Sequence, residues 1–131
     1  PPNLACRCFT HSTETILWAK KNDKKSRHFF DYQKMKKMNG GKQMKDVWTG
    51  ALTKPSEKTE GKHPTQKPEY LLERIILAST EPEYVVLDLF CGSGTTGVEA
   101  VRFGRKFIGI DVSEEYLDIS KKRLEKVAND K

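Results

Sequence analysis

The chain has 131 residues, 36% of them apolar and 32% charged, enough for one modest core and too few for several autonomous domains. No run approaches the roughly 18 apolar residues of a membrane span, and Pro1, Pro2 and Asn3 lack the regions of a signal peptide, so a soluble, cytoplasmic protein is expected. The net charge of +6 is uneven: residues 1–67 carry 15 Lys and Arg against 6 Asp and Glu, and residues 68–131 carry 9 against 12, which points to a polyanion as partner of the first half.

The chain opens on Pro-Pro without Met, as a processed chain or an excised fragment would. Cys6, Cys8 and Cys91 are odd in number, and the spacing Cys6-x-Cys8 suits neither zinc nor a redox pair. No metal site is expected. Residues 12–21 (STETILWAKK) group Ile16, Leu17 and Trp18 between polar flanks and read as a strand. Lysines with interleaved Phe29, Phe30 and Tyr32 follow. Residues 31–38 predict a short helix stopped by Asn39, Gly40 and Gly41, residues 46–49 a short strand, and residues 50–61 a loop.

From residue 62 the pattern becomes regular α/β. Residues 68–80 place Leu71, Leu72, Ile75 and Ile76 on one helical face with Pro68 in the first turn. Residues 84–90 (YVVLDLF) read as a parallel-sheet strand buried on both faces. A glycine-rich turn leads to a helix over 95–103, a second strand over 106–111, and a last helix capped by Ser113 and ending near Val127. The result is a strand-helix-strand unit of right-handed connection.

Gly92, Gly94 and Gly97 form G-x-G-x-x-G between the predicted strand and helix, and Asp111 ends the next strand. Glycines let the backbone turn sharply and approach a ligand, while a carboxylate at that strand end accepts from ribose hydroxyls. An adenosine-type cofactor follows. Asp88, inside the strand, suits the ammonium of a methionyl group better than a pyrophosphate, which favours S-adenosylmethionine over a nicotinamide dinucleotide. The plainer alternative is that Asp88 caps a turn and Asp111 ends a strand.

Three ordered elements now stand together: H-P-T-Q-K-P at residues 63–68, D-L-F-C-G-S-G-T-T-G at 88–97, and I-G-I-D at 108–111. They resemble the C-terminal part of the N6-adenine and N4-cytosine DNA methyltransferases whose cofactor motifs lie downstream of the catalytic motif. Residues 7–21 resemble the segment that follows the catalytic strand in that family, and residues 22–61 have the character of its variable target-recognition region. The resemblance implies an incomplete Rossmann-like methyltransferase fold of α/β class, divided into a strand region (1–21), a basic target-recognition segment (22–61) and a cofactor-binding region (62–131). It implies that Thr65 and Lys67 hold the methionyl carboxylate, Asp88 the ammonium, Phe90 the apolar part and Asp111 the ribose, with Gly92 and Gly94 making room. His63 either orients the loop or is a turn residue.

The exocyclic amine is a poor nucleophile because its lone pair is delocalised into the ring. The family answers with a [D/N/S]-P-P-[Y/F/W] motif, whose polar groups localise that lone pair while its aromatic ring stacks on the flipped base. No such motif occurs in the sequence, so the catalytic motif is expected upstream of Pro1 and the chain alone is expected to be inactive. Phosphate contacts with double-stranded DNA fall to the basic half, foremost Lys24, Lys25, Arg27, Lys34, Lys36 and Lys37. The leading expectation is a fragment of a site-specific adenine-N6 methyltransferase of a bacterial restriction-modification system, with self-association plausible. An N4-cytosine enzyme, a catalytically silent nucleic-acid-binding module and an NAD-dependent oxidoreductase fragment stay open.

Overall fold

The computed structural model describes residues 7–10, 12–21, 27–61 and 63–130; the expectations on Cys6, Lys24 and Lys25 lie outside the described residues. Helix α1 spans Tyr32–Met38. Asp31 caps it, accepting the Lys34 N–H at 2.8 Å, and Gly40 and Gly41 close it at φ of 63° and 80°. Its one buried side chain, Met35, is 2% exposed, and the Asp31 N–H donates to the Ala78 carbonyl at 2.9 Å, which seats α1 on the next helix. A short 3₁₀ turn, Pro55–Glu57, follows.

Helix α2 (Glu69–Ser79) starts after Pro68, whose missing N–H removes only a donor that a helix start leaves unsatisfied anyway. Ile76 and Leu77 are buried and Leu71, Leu72 and Ile75 half-buried, so the apolar stripe lies where the 3.6-residue period puts it. Strands β1 (Val85–Asp88) and β2 (Lys106–Gly109) pair in parallel, with Val85 opposite Lys106 and Asp88 opposite Gly109. Helix α3 (Thr95–Arg102) makes the crossover and α4 (Glu114–Asn129) follows β2. Ser113 caps α4 by accepting the Tyr116 N–H at 3.3 Å.

Helix α3 is the centre of the molecule, in contact with α2, α4 and both strands. Val98 and Ala100 are 1% and 0% exposed and form the core with Ile76, Leu77, Cys91 and Ile119. Gly97 sets how closely α3 lies on the sheet, because a Cβ there would stand 2.4 Å from the Phe107 ring. Among the described residues no helix is long and apolar enough to cross a membrane.

Three expectations need correction. Residues 12–21 form no strand; Ile16, Leu17 and Trp18 are 51%, 90% and 66% exposed, since a strand needs a neighbour to pair with and the sheet of described residues holds only β1 and β2. Residues 46–49 form no strand either. Trp48 instead donates its Nε1–H to the Lys45 carbonyl at 2.6 Å and lies under the Arg74 guanidinium, 4.8 Å from the ring centroid. Strand β1 is covered on one face only. Val86 is half-buried toward α3, whereas Val85 and Leu87 are 58% and 56% exposed, because no second layer of helices lies on the far face among the described residues.

Gly97→Ala is expected to destabilise the protein by about 1–3 kcal/mol through overpacking against Phe107, read as a lower urea midpoint at unchanged slope. An unchanged midpoint would contradict the close approach of α3 to β2.

Candidate cofactor site

The turn between β1 and α3 is built on two left-handed glycines, Gly92 at φ 50° and Gly94 at φ 75°, a conformation that a side chain resists. Their neighbours differ. A Cβ on Gly92 would meet His63 Nε2 at 2.9 Å, and one on Gly94 would meet Ser120 Oγ of α4 at 2.1 Å. Gly92 therefore lets the loop close on the H-P-T-Q-K-P segment, and Gly94 lets it close on α4.

Between these elements lies a cavity of about 280 Å³, lined by the H-P-T-Q-K-P segment, the end of β1, the loop, the start of α3, Asp111 and Tyr116. Thr65, Lys67, Asp88, Phe90, Gly92 and Asp111 all line it, so residues up to 46 positions apart meet at one place. Gly94 is not among the lining residues; its place is against Ser120.

Each acid is held by local hydrogen bonds. Asp88 accepts the Thr96 hydroxyl at 2.7 Å and the Phe90 N–H at 3.1 Å. Asp111 accepts the Gly92 N–H at 2.8 Å and the Ser113 N–H at 3.0 Å. Those backbone donors, Ser113 first and Gly92 next, hold the Asp111 carboxyl below its ordinary range, which keeps it an anionic acceptor. Burial, then the neighbouring Asp111 and Asp88, push the Cys91 thiol up, so it stays protonated between the two acids and is no nucleophile.

His63 and Tyr116, which also line the cavity, pack with tilted rings, centroids 4.2 Å apart, and the Thr65 N–H donates to His63 Nδ1 at 3.3 Å. Lys67 pairs with Glu14 at 2.6 Å, and both side chains are exposed. Such a pair contributes at most about 1 kcal/mol and exchanges readily, so the Lys67 charge stays available to an anion. Phe90 is 86% exposed beside the cavity, which leaves its ring open to a ligand rather than in the core. Arg27, Lys34, Lys36 and Lys37 are exposed, the lysines on α1.

Beneath the loop is a charged network that the sequence reading missed. Arg123 of α4 is buried and donates to the Ser93 carbonyl at 2.7 Å, the Thr95 hydroxyl at 3.0 Å and Glu69 at 3.0 Å. Glu69 also accepts from Arg102 at 3.0 Å, and Arg102 in turn binds Glu99. Arg123 reads naturally as one more cation compensating the C-terminal end of α4. The signal that could have found it is the stripe Tyr116, Ile119, Ser120 and Arg123, spaced i, i+3, i+4, i+7 on the inward face.

Glu99 is fully buried, and burial pushes its carboxyl up to about 7 against the counteracting Arg102. The folded protein thus holds a proton there that the unfolded chain, near 4.5, releases. The associated stability is fully present below the unfolded value and is lost as pH rises to about 7, by up to roughly 3 kcal/mol. Glu99→Gln is expected to flatten the fall in urea midpoint between about pH 5 and 7; an equal slope in both proteins would rule Glu99 out as its source.

A parallel strand, glycine turn, helix and strand, with acids at the ends of both strands facing one cavity, define the class of α/β proteins that hold a nucleoside-bearing ligand at the C-terminal ends of their strands. Comparison with known proteins narrows the class. The DNA methylase family model matches residues 1–122, and the chain belongs to that family. It is 73% identical over 127 residues to the type II methyltransferase M2.LlaDCHI of Lactococcus lactis subsp. cremoris, covering 97% of this chain and 47% of that protein. It is 72% identical over 124 residues to M2.DpnII of Streptococcus pneumoniae, covering 95% and 46%. Among solved structures, that of M1.HpyAVI with SAM has a TM-score of 0.46 at 48% identity, covering 49% of this chain and 33% of that one. The chain spans about half the length of the curated relatives it matches.

Proposed function

We propose that this chain is the S-adenosylmethionine-binding part of a site-specific DNA methyltransferase that methylates the N6 amine of adenine within a bacterial restriction-modification system. The observation that carries the reading is the meeting of Thr65, Lys67, Asp88, Phe90 and Asp111 around one cavity. It is supported by membership of the DNA methylase family and by the type II methyltransferase relatives.

The chemistry of these side chains fits the cofactor. When bound, S-adenosylmethionine supplies an electrophilic methyl group on a sulfonium. Asp88 would attract its ammonium, Lys67 and Thr65 its carboxylate, and Asp111 its ribose hydroxyls, while the Phe90 ring covers apolar surface. Gly92, which lines the cavity, would leave room for the ligand beside the loop backbone, and Gly94 shapes the loop from behind against Ser120. A dinucleotide is disfavoured electrostatically, because its pyrophosphate would share the cavity with the Asp88 carboxylate at the end of β1.

The division into a strand region (1–21), a target-recognition segment (22–61) and a cofactor region (62–131) belongs to the same proposal. So do double-stranded DNA as partner, with Lys24, Lys25, Arg27, Lys34, Lys36 and Lys37 at its phosphates, and a cytoplasmic location. A homodimer is proposed from the exposed apolar side chains Val85, Leu87 and Ile108 on the sheet, to be read from the mass in solution by light scattering.

Calorimetric titration of the full-length protein is expected to saturate with S-adenosylmethionine and give no heat with NAD. Asp111→Ala is expected to weaken cofactor binding at least tenfold; the reverse ligand preference would overturn the reading. Nucleoside analysis of the methylated DNA should return N6-methyladenine, and N4-methylcytosine would reassign the base. Replacing both Lys36 and Lys37 by Gln should weaken DNA binding evenly across sequences and lower the salt slope by about 2; an unchanged slope would remove these lysines from the interface.

A further inference from the structure

The buried face of the glycine loop is held from α4 by a side chain that does not itself line the cavity. Arg123 is 6% exposed and is not among the cavity's lining residues, yet Ser93 and Thr95, which it binds, both line the cavity. Its guanidinium donates through one nitrogen to the Ser93 carbonyl at 2.7 Å and the Thr95 hydroxyl at 3.0 Å, and through another to Glu69 at 3.0 Å.

The Ser93 carbonyl is the sensitive group. Its peptide unit joins Ser93 to the left-handed Gly94, and a glycine on one side eases rotation of the unit. The unit is fixed at both ends: the Gly94 N–H donates to the Cys91 carbonyl at 2.8 Å, and the Ser93 carbonyl accepts from Arg123. Without the guanidinium, a buried carbonyl is left without its charge-assisted donor, a loss of the kind that drives local rearrangement. The cheap escape is rotation of the unit, which would carry a partial negative charge from the α4 side toward a cavity already lined by Asp88 and Asp111.

We propose that Arg123 is a positioning residue for the cofactor site, holding the Ser93 carbonyl on the α4 side and Thr95 at the start of α3, with Glu69 fixing the guanidinium in turn. The inference rests on the cofactor reading above and adds to it a residue whose effect falls on cofactor affinity rather than on the transfer step. Lysine preserves the charge but offers no planar fork for three acceptors at once, so the conservative substitution rescues only in part.

The test uses the full-length methyltransferase with Arg123→Met, Arg123→Lys and the control Lys126→Met, a substitution on the same helix that removes only an exposed pair with Glu60. Cofactor affinity is read by calorimetry, KM and kcat from methylation of DNA, and folding by thermal melting. The expected result is a cofactor Kd and KM raised at least tenfold in Arg123→Met and about threefold in Arg123→Lys, with kcat at saturating cofactor within twofold and Lys126→Met unaltered. Should either Arg123 variant fail to fold, Glu69→Gln, which loosens the guanidinium while keeping an acceptor, is expected to raise the same KM severalfold. Folded variants with unaltered cofactor affinity, or with kcat lowered at constant KM, overturn the positioning role alone. A wild-type enzyme that binds no S-adenosylmethionine overturns the cofactor reading together with it.

Discussion

The Arg123 guanidinium ties together the parts of the chain that the backbone alone leaves apart. It joins α4 to the glycine loop, to the first residue of α3 and, through Glu69, to the first residue of α2. A buried cation of this kind is tolerated only when its donors find acceptors, and removing one partner of such a pair is strongly destabilising, by roughly 3–5 kcal/mol. Here the acceptors are supplied by a backbone carbonyl, a hydroxyl and a carboxylate from three separate elements. The loop is therefore built against a rigid support.

The same economy appears on the cavity side of the loop. Asp88 holds donors of the turn that follows it, and Asp111 holds the Ser113 N–H of its own turn together with the Gly92 N–H of the loop after β1, so the two acids shape both turns while keeping lone pairs for a ligand. Gly92 and Gly94 then divide the work between two neighbours, His63 in front and Ser120 behind. A motif that reads as three equivalent glycines is three separate steric constraints, the third being Gly97 against Phe107.

The far side of the sheet has another character. Val85, Leu87, Ile108 and Ile110 are all more than half exposed, on strands rich in β-branched and aliphatic residues that favour a covered sheet. Ile16, Leu17 and Trp18 are exposed too, although their composition suits a strand. Strand formation is a property of pairs, so composition alone cannot produce one where no partner lies alongside among the described residues.

Local chemistry was legible in the sequence because it is written at short range. The cap at Ser113, the helix of residues 69–79, the glycine turn and the parallel strands with their terminal acids follow from spacing, dihedral preference and side-chain size. The resemblance carried by H-P-T-Q-K-P and the glycine loop supplied the family, and the acids and Lys67 indeed meet at one cavity. What tertiary structure alone decided depends on contacts between residues distant along the chain. Arg123 looks like a solvated end-of-helix cation until Ser93, 30 positions away, is placed beside it; Glu99 looks like a surface acid until α3 is buried from three sides; and β1 has one face that the described residues leave uncovered, because burial depends on which layers surround a strand, which its own residues do not encode.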